Sequence, residues 1–327
     1  MIKNGHLSTK KEELPLVSIW TLVYNTGPYV LETIKAVINQ SYPLHRIQHI
    51  IIDDFSTDNS ADLVGDWITD NDYKCTYIRH SGNWGICKTL NQVLELVKGK
   101  YGMGCSDDLL HPTAIETFVK GFQNLPEKTG MIFCNMQLID SNGNLISKSY
   151  LNQKTINFIQ HKEGSFFEKI IKNYFLPAPG TFYKIEALID IAPYDESLSS
   201  EDYDFHLRFA KKYDYIYIDE INVSYRRHDN NKSGSYLSKE SLLLMQKCVL
   251  KHINEFSEKK STQDVMGDFM RRNMERAYRF NYNILFRYRM YTDFLLKTNN
   301  KLFALKIISK LILKNSKKTI KKIIKKS

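Results

Sequence analysis

The sequence predicts an α/β fold in which a mostly parallel β-sheet is flanked by helices and followed by a C-terminal helical extension. Over the first 140 residues, short apolar runs alternate with longer segments of helical periodicity, as expected when crossover helices join parallel strands. A polar cluster follows each of the first four apolar runs. From Leu237 to Tyr291 the spacing of apolar residues is helical, with many aromatic and arginine residues.

The individual elements follow from the residue pattern. Runs rich in β-branched and aromatic residues predict five strands, at Val17–Val23, Ile47–Ile52, Cys75–Arg79, Tyr101–Cys105 and Met131–Ile139. Apolar residues at helical spacing predict three helices between them, at Tyr29–Gln40, Ser60–Thr69 and Ile86–Val97. The dipeptide Asn142-Gly143 predicts a hairpin turn, after which a mixed region extends to about Ser235.

The composition limits the class of protein. With 327 residues, of which 43% are hydrophobic and 25% charged, the chain has the make-up of a folded soluble protein. Its five cysteines are scattered without a Cys-x-x-Cys pair, which indicates neither a disulfide framework nor a zinc site. The N-terminal segment is polar, and no apolar stretch reaches the roughly 20 residues that span a bilayer. We therefore expect a cytoplasmic protein.

The net charge of +10 comes from one end of the chain. Residues 301–327 contain ten lysines and no acidic residue, so the rest of the chain is formally neutral. Apolar residues recur among these lysines at near-helical spacing, at Leu305, Ile308, Ile312 and Ile320–Ile324. A basic amphipathic helix of this kind suits an anionic membrane surface, and the alternatives are a helix packed on the body or a nucleic-acid contact. Aromatic residues are absent after Phe303, which argues against nucleic acid.

Four polar clusters lie where the first four predicted strands end, namely "YNTGPY", "DDFSTDNS", "HSGNWG" and "CSDD". Because the carboxyl ends of parallel strands meet at one edge of a sheet, these clusters predict a ligand site at that edge. In the second cluster, helix capping explains Asp58 and Ser60 but not Asp53 and Asp54. An aspartate at this edge can accept a hydrogen bond from a base N–H or a ribose hydroxyl.

The adjacent carboxylates Asp107 and Asp108 need compensation, because like charges side by side repel each other. Taken alone, they are explained by a turn, with Pro112 opening the next helix. A divalent cation that carries a diphosphate would also compensate them, since the metal reverses the local charge balance. Carboxylate ligands suit Mn²⁺ or Mg²⁺ rather than zinc or copper. The metal interpretation therefore depends on a phosphate-bearing substrate.

Eight segments, in their order and spacing, resemble the nucleotide-sugar domain of bacterial family 2 glycosyltransferases with a GT-A fold. They are "VSIWTLVYN", "INQSYP", "IIDDFSTDNS", "GNWGICKTLNQVLELVKGKY", "CSDD", "LPAPGTFYKIEAL", "YDESLSSEDYDFHLRFA" and "IDEINVSYRRHDNNKS". The resemblance implies a Rossmann-like GT-A sheet. The predicted domains are a polar segment at 1–14, a glycosyltransferase domain at 15–235 with a nucleotide-binding half (15–140) and an acceptor-binding half (141–235), a helical extension at 236–300 and the basic amphipathic tail at 301–327.

The resemblance also implies roles for single residues in the donor site. Tyr24 and the backbone around Leu22 would pack against a uracil or thymine base, and Asp54 would accept the base N–H. Leu22 stands where many relatives have proline, a change that a main-chain contact tolerates. Lys88 would contact phosphate or remain solvated. The other nucleotide-sugar contacts are assigned to Asn25, Asp53, Gly85, Glu201 and Arg227.

In the acidic motif, the resemblance implies that Asp107 faces the ribose and that Asp108 coordinates Mn²⁺ or Mg²⁺ at the diphosphate. His228 would complete the metal shell or contact the diphosphate, although a lone histidine is also compatible with an ordinary surface or core position. Many relatives carry an aspartate where this chain has Cys105. The longer Asp-x-Asp-Asp motif is therefore incomplete, and the metal role rests mainly on Asp108.

The catalytic carboxylate is expected in "SSEDYDFHLRFA". Asp202 matches the general base of the family, which removes the proton of an acceptor hydroxyl as that hydroxyl attacks the anomeric carbon with inversion. The alternative is that Glu201 and Asp202 only favour the positive end of a helix, which suits Glu201 better than Asp202.

The function predicted from the resemblance is transfer of one sugar from a nucleoside diphosphate sugar, with UDP favoured, to a glycan acceptor. The basic tail favours a lipid-linked acceptor, such as a polyprenyl diphosphate oligosaccharide in O-antigen or capsule assembly, and a peripheral position on the inner face of the cell membrane. The chain has no Gln-x-x-Arg-Trp segment, which argues against a processive synthase. A nucleotidyltransferase is a rival interpretation, but it would have a glycine-rich basic loop after the first strand. A non-catalytic sugar-binding protein on the same fold is the other.

Overall fold

The structure is a computed structural model that describes residues 13–228, 238–255, 259–280, 282–310 and 312. Its strands are β1 (Val17–Val23), β2 (Ile47–Asp53), β3 (Thr76–Arg79), β4 (Tyr101–Gly104), β5 (Leu109–Leu110), β6 (Thr129–Ile139), β7 (Leu145–Ser147), β8 (Thr181–Lys184) and β9 (Asp214–Arg226). Its helices are α1 (Val30–Ile38), α2 (Ser60–Asp70), α3 (Ile86–Leu96), α4 (Ala114–Gly121), α5 (Gln153–Gln160), α6 (Phe166–Lys172), α7 (Ile185–Ile191), α8 (Asp202–Lys212), α9 (Lys239–Leu250), α10 (Lys260–Arg279) and α11 (Ile284–Lys297). Residues 301–310 form a further helical segment.

The strands form one sheet in the order β3-β2-β1-β4-β8-β6-β9-β5, with β7 paired to β6. The strands β1 to β4 pair in parallel. The strand β8 is antiparallel to both β4 and β6, so β6 and β9 run in the same direction as the first four. The α/β class and the mostly parallel sheet are therefore confirmed, as are all five predicted strands. The inserted strand β8 was not predicted, because its four residues lie in the region where the pattern loosens.

Burial explains why the central strands were recognisable. In β2, Ile50, Ile51 and Ile52 are all fully buried, as expected for a parallel strand covered by helices on both faces. Register brings the strand ends together, since Val23 of β1 lies opposite Asp53 of β2, and Asp53 lies opposite Arg79 of β3. The loops that follow these strands consequently start at one edge of the sheet.

The predicted hairpin is also present. The strands β6 and β7 pair antiparallel around a turn in which Gly143 has φ of +83°, a conformation that glycine adopts without strain. The Asp140 carboxylate accepts hydrogen bonds from the N–H groups of Asn142 and Asn144, each at 2.8 Å. This turn ends β6 close to the edge that carries the polar clusters.

The C-terminal helices share an apolar core with α6 and α8. Met266 and Met270 of α10 and Phe294 of α11 are buried in this core. The segment 301–310 lies on α10 at Gly267, where an added Cβ would come within 2.5 Å of the Phe303 ring. The helical extension is therefore packed onto the sheet domain. No helix in the described ranges is both long and apolar enough to cross a membrane.

A buried ionic cluster joins α8 to α9. Asp204 is buried, and its carboxylate accepts hydrogen bonds from Arg208 Nε at 3.0 Å and from Lys251 Nζ at 2.6 Å. Lys251 also reaches Asp195 at 2.6 Å, in the segment that precedes α8. A buried carboxylate with two charged donors is well compensated, so this cluster holds the start of α8 against the C-terminal helices.

Candidate active site

The loops after β1 and β2 are fastened to each other. Asn25, which has φ of +54°, accepts a hydrogen bond at its Oδ1 from the Thr57 N–H at 2.8 Å. The Asn25 N–H donates to Ser56 Oγ at 3.0 Å, and the Thr26 N–H donates to Ser60 Oγ at 2.9 Å. Asn25, which was predicted to bind the nucleotide sugar, therefore positions the neighbouring loop.

The Asp54 carboxylate fastens a third loop. Its Oδ1 accepts the Trp84 N–H at 2.7 Å and lies 2.9 Å from His80 Nδ1, while its Oδ2 accepts the Gly85 N–H at 2.9 Å. Gly85 has φ of +79°, which a residue with a side chain rarely adopts. The Trp84 ring stacks on His80 with centroids 4.0 Å apart, and Lys88 Nζ lies 4.3 Å from the indole centroid. Asp54, Gly85 and Lys88 thus form one connected unit.

Three aromatic side chains are exposed around the buried Asp54. They are Tyr24, Phe55 and Trp84, of which only Tyr24 was among the predicted residues. Leu22 is half-buried next to them at the end of β1. Exposed aromatic rings offer flat surfaces on which a nucleobase can stack. The sequence signal for Phe55 and Trp84 was their place inside polar clusters at strand ends.

The Asp53 side chain is buried beneath the loop that follows β2. Its Oδ2 accepts the Ser56 N–H at 3.1 Å. Its Oδ1 is buried without a hydrogen-bond partner. Asp53 therefore shapes the loop between β2 and α2 from beneath.

The two carboxylates of the acidic motif have different surroundings. Asp108 is buried, and its Oδ1 accepts the Arg226 N–H at 2.9 Å. Burial, and then the charge of Asp107, raise the pKa of Asp108 well above its usual value. Asp107 is only half-buried, and its Oδ2 lies 2.6 Å from His228 Nε2. Cys105 donates a hydrogen bond to the Asp108 carbonyl at 3.3 Å, so its thiol supports the backbone of the motif.

Arg226 holds this corner of the sheet together. Its guanidinium is fully buried and donates to Glu32 at 2.5 Å, to the Asp107 carbonyl at 3.1 Å and to the Ser141 carbonyl at 3.3 Å. The guanidinium also lies 4.8 Å from the Tyr29 ring centroid. The prediction selected its neighbour Arg227 and not Arg226.

A signal for Arg226 exists in the sequence of β9. Asn222, Ser224 and Arg226 recur at every second position and are all buried, which is an unusual polar stripe on one face of a strand. Arg227, by contrast, is exposed and lies 5.3 Å from the Tyr225 ring centroid.

The carboxylates of Glu201 and Asp202 form a second acidic pair, at the start of α8. Burial raises the pKa of Asp202 well above its usual value, and the charge and hydrogen bond of Glu201 raise it further. Burial raises the pKa of the Cys87 thiol in α3 and of the Tyr150 hydroxyl, and the charge of Asp202 raises both further. The charge of Arg227 lowers the pKa of Tyr150. The Cys87 thiol, in the first turn of α3, donates a hydrogen bond to the Leu198 carbonyl at 3.5 Å, so the segment that leads into this carboxylate pair contacts the start of α3.

The predicted residues thus form three groups. In the first group, Leu22 and Asp53 lie near the ends of β1 and β2, and Tyr24, Asn25, Asp54, Gly85 and Lys88 lie beyond β1, β2 and β3. In the second group, Asp107, Asp108, Arg227 and His228 lie beyond β4 and β9, and in the third group Glu201 and Asp202 lie at the start of α8. The first two groups flank the end of β1, which pairs with both β2 and β4. The segment before the third group contacts the first of these groups, through the hydrogen bond from Cys87 of α3 to the Leu198 carbonyl.

The acidic corner offers ligands for a divalent cation. Within the part of the chain that the structure describes, no three His, Cys, Asp or Glu side chains form a complete metal site. A cation that binds together with a diphosphate needs only one or two protein ligands. Asp107 and His228 supply two such ligands in mutual contact. These residues therefore fit a cation that arrives with its phosphate ligand.

Comparisons with known proteins identify the family and the fold. The family model described as glycosyl transferase family 2 matches residues 18–191. An uncharacterised glycosyltransferase of Rickettsia typhi is 27% identical over 230 residues, which cover 68% of each protein. Chondroitin synthase of Escherichia coli is 26% identical over 228 residues, or 69% of this chain but 31% of that enzyme.

Solved structures show the same fold. A fragment of S. aureus TarS, crystallised with UDP-GlcNAc, superposes with a TM-score of 0.67 at 16% identity and covers 86% of this chain and 80% of the fragment. The mannosyltransferase PcManGT of Pyrobaculum calidifontis, in complex with GDP-Man and Mn²⁺, has a TM-score of 0.60 at 15% identity, covering 92% of this chain and 81% of that protein.

Arg226→Met should destabilise the protein by about 3 kcal/mol, because Glu32 and two carbonyl oxygens lose a buried charged donor. Arg227→Met is the matched control and should change the free energy of unfolding by less than about 0.5 kcal/mol, since Arg227 is exposed. Urea denaturation of both variants measures the difference. Equal stability of the two variants would contradict the role assigned to Arg226.

Proposed function

Because the chain belongs to glycosyltransferase family 2, we propose that it transfers one sugar from a nucleoside diphosphate sugar to a hydroxyl of a glycan acceptor, with inversion. The observation that carries this proposal is the position of Asp202 at the start of α8, because the segment before it contacts Cys87 in the first turn of α3, next to the loop that Asp54 organises. We further propose UDP as the nucleotide, which is supported by the UDP-GlcNAc complex of the structurally similar TarS.

Asp202 acts as the general base. As the acceptor oxygen forms its bond to the anomeric carbon, the bond from that carbon to the diphosphate oxygen breaks, and the acceptor proton moves to an Asp202 oxygen. A carboxylate of raised pKa holds that proton more strongly than an ordinary aspartate does. Glu201 therefore assists catalysis by strengthening the base next to it.

The donor lies across the ends of β1, β2 and β4 in this proposal. The nucleobase stacks among Tyr24, Phe55 and Trp84, with the Leu22 backbone beneath it. Asp54 accepts the base N–H through a lone pair that the loop contacts leave available, because each carboxylate oxygen can accept more than one hydrogen bond. Lys88 and Arg227 contribute positive charge on the diphosphate side.

For the metal, we propose Asp107 and His228 as the protein ligands, in place of the pair Asp108 and His228 expected from the sequence. Asp107 is more accessible than Asp108 and already contacts His228, whereas Asp108 is buried and oriented by the Arg226 N–H. A bound Mn²⁺ or Mg²⁺ would neutralise the departing diphosphate as a Lewis acid. Asp108 then positions the backbone from which Asp107 projects.

We propose a lipid-linked glycan acceptor, such as a polyprenyl diphosphate oligosaccharide of O-antigen or capsule, used at the inner face of the cell membrane. The similarity to chondroitin synthase supports polysaccharide as the product class. The basic segment 301–327 supports a position at an anionic membrane surface. Residue 311 and residues 313–327 of that segment lie outside the described residues.

A panel of UDP-, dTDP- and GDP-sugars with Mn²⁺ tests the donor proposal. We expect UDP-sugars to raise the melting temperature most and to be hydrolysed slowly without acceptor, because bound water can replace the acceptor hydroxyl. Thermal shift and released nucleoside diphosphate are the readouts. If no nucleoside diphosphate stabilised the protein, the transferase proposal would be wrong.

Asp202→Asn should lower turnover by about 10²–10⁴-fold, the usual contribution of a general base. In the wild type, activity requires ionised Asp202, so it is present above the raised pKa and is lost as the pH falls through it. Glu201→Gln removes the neighbouring charge and should move this acidic limb to lower pH. The pH profile of kcat/KM measures the shift, and an unchanged limb in Glu201→Gln would count against the pairing.

Asp107→Asn and His228→Gln should each abolish the Mn²⁺-dependent part of UDP binding, because each removes one proposed ligand. Asp108→Asn is the comparison, and it should lower stability while retaining most of the Mn²⁺ response. Isothermal titration of UDP with and without Mn²⁺ separates the two effects. Loss of the Mn²⁺ response in Asp108→Asn alone would restore the assignment made from the sequence.

A further inference from the structure

The helix α11 is apolar on two opposite sides. Its inner side is buried in the core and comprises Phe286, Met290 and Phe294. Its outer face carries exposed apolar side chains, namely Ile284 at 73%, Leu285 at 75%, Tyr288 at 65% and Leu296 at 77% exposure. With 3.6 residues per turn, these two sets project in roughly opposite directions. The inner side accounts for the packing of α11, and the described part of the chain leaves the outer face exposed.

The segment 301–310 repeats this arrangement. Ala304 and Ile308 are buried against the body, while Leu302 and Leu305 are exposed at 81% and 51%. The lysines Lys301, Lys306 and Lys310 flank the two exposed leucines on the helix surface. The sequence left open whether this segment packs on the body or faces a membrane. The buried Ala304 and Ile308 show that one side packs on the body.

The two exposed faces meet at the end of α11. Lys301 Nζ donates a hydrogen bond to the Leu296 carbonyl at 3.2 Å, which brings the base of the 301–310 segment next to the outer face. Monomeric soluble proteins rarely expose a large apolar patch, and such a patch usually marks a protein or membrane contact. We call the outer face of α11 together with Leu302 and Leu305 the C-terminal apolar surface.

The charge around this surface favours an anionic partner. From Ile284 to Lys310 the chain has six basic residues and one acid, Asp293, which lies 4.0 Å from Arg289. The sequence from there to Ser327 adds seven lysines and no acid. Aliphatic side chains flanked by lysines, with a tyrosine among them, suit the boundary between anionic headgroups and acyl chains. A nucleic acid would use the lysines but not the leucines.

We propose that the C-terminal apolar surface docks on an anionic lipid bilayer, with the leucines inserted and the lysines at the headgroups. This inference deepens the proposed membrane-surface position and rests on it, but it assigns the apolar contact to α11 as well as to the tail. The helix α11 packs on α9 and α10, and α9 packs on α8, so docking orients the start of α8 relative to the bilayer.

Vesicle flotation of the full chain tests this surface. The variant combines Leu285→Ser and Leu296→Ser, and Ile146→Ser, an exposed isoleucine on β7, is the matched control. The vesicles are phosphatidylcholine alone, or equimolar phosphatidylcholine and phosphatidylglycerol. We expect the wild type and the control to bind only the anionic vesicles, and the double variant to bind them at least about tenfold more weakly.

Three results would overturn the proposal. Full vesicle binding by the double variant would assign the contact to the tail alone. Wild-type protein that did not bind anionic vesicles would exclude a bilayer as the partner of this surface. Self-association that the double variant loses would instead identify an interface between two copies. The UDP-dependent thermal shift, measured on the same samples, should be unchanged in every variant. Its absence from the wild type would count against the donor proposal and not against this surface.

Discussion

The buried Arg226 guanidinium is the contact on which the acidic corner of the sheet depends. A fully buried cation is costly unless charged and polar acceptors surround it, and Arg226 meets Glu32 and the carbonyls of Asp107 and Ser141. These acceptors come from α1, from the loop after β4 and from the loop after β6. One side chain at the end of β9 thus fixes three segments that are distant in the sequence. It also explains how Asp107 and Asp108 can lie side by side.

The two pairs of adjacent acids, Asp107–Asp108 and Glu201–Asp202, share one electrostatic feature. In each pair one carboxylate lies in surroundings that disfavour its charge, so the pKa of Asp108 and of Asp202 is raised, chiefly by burial and then by the neighbouring acid. In the first pair, burial fits Asp108 for a structural hydrogen bond and leaves Asp107 to meet His228. In the second pair, the raised pKa suits Asp202 to accept a proton. The same electrostatic effect therefore supports positioning at one site and the proposed proton transfer at the other.

The sheet was predictable because its central strands are buried on both faces and read as continuous apolar runs, as Ile50 to Ile52 show. The position of the polar clusters at one edge was predictable from the parallel direction of the strands alone. The partners of individual side chains did not, since Arg226 and Glu32 are 194 positions apart and Asp54 and Gly85 are 31 apart. Periodicity predicts a helix in the region of α11 but not which of its sides is buried, because a helix that is apolar on two sides resembles one that is wholly buried.

The C-terminal helices connect the proposed membrane contact to the proposed base. Their inner sides complete the core that α6 and α8 leave open, and the Asp204, Lys251 and Asp195 cluster ties α8 to α9. An arrangement that only anchored the chain would need no such cluster, because a flexible linker would suffice. A lipid-linked acceptor, however, presents its hydroxyl at a distance from the bilayer set by the lipid and its sugars. A base held rigidly relative to the docking surface would lie at a fixed distance from the bilayer, near that hydroxyl. This would lower the entropic cost of orienting the two reactants.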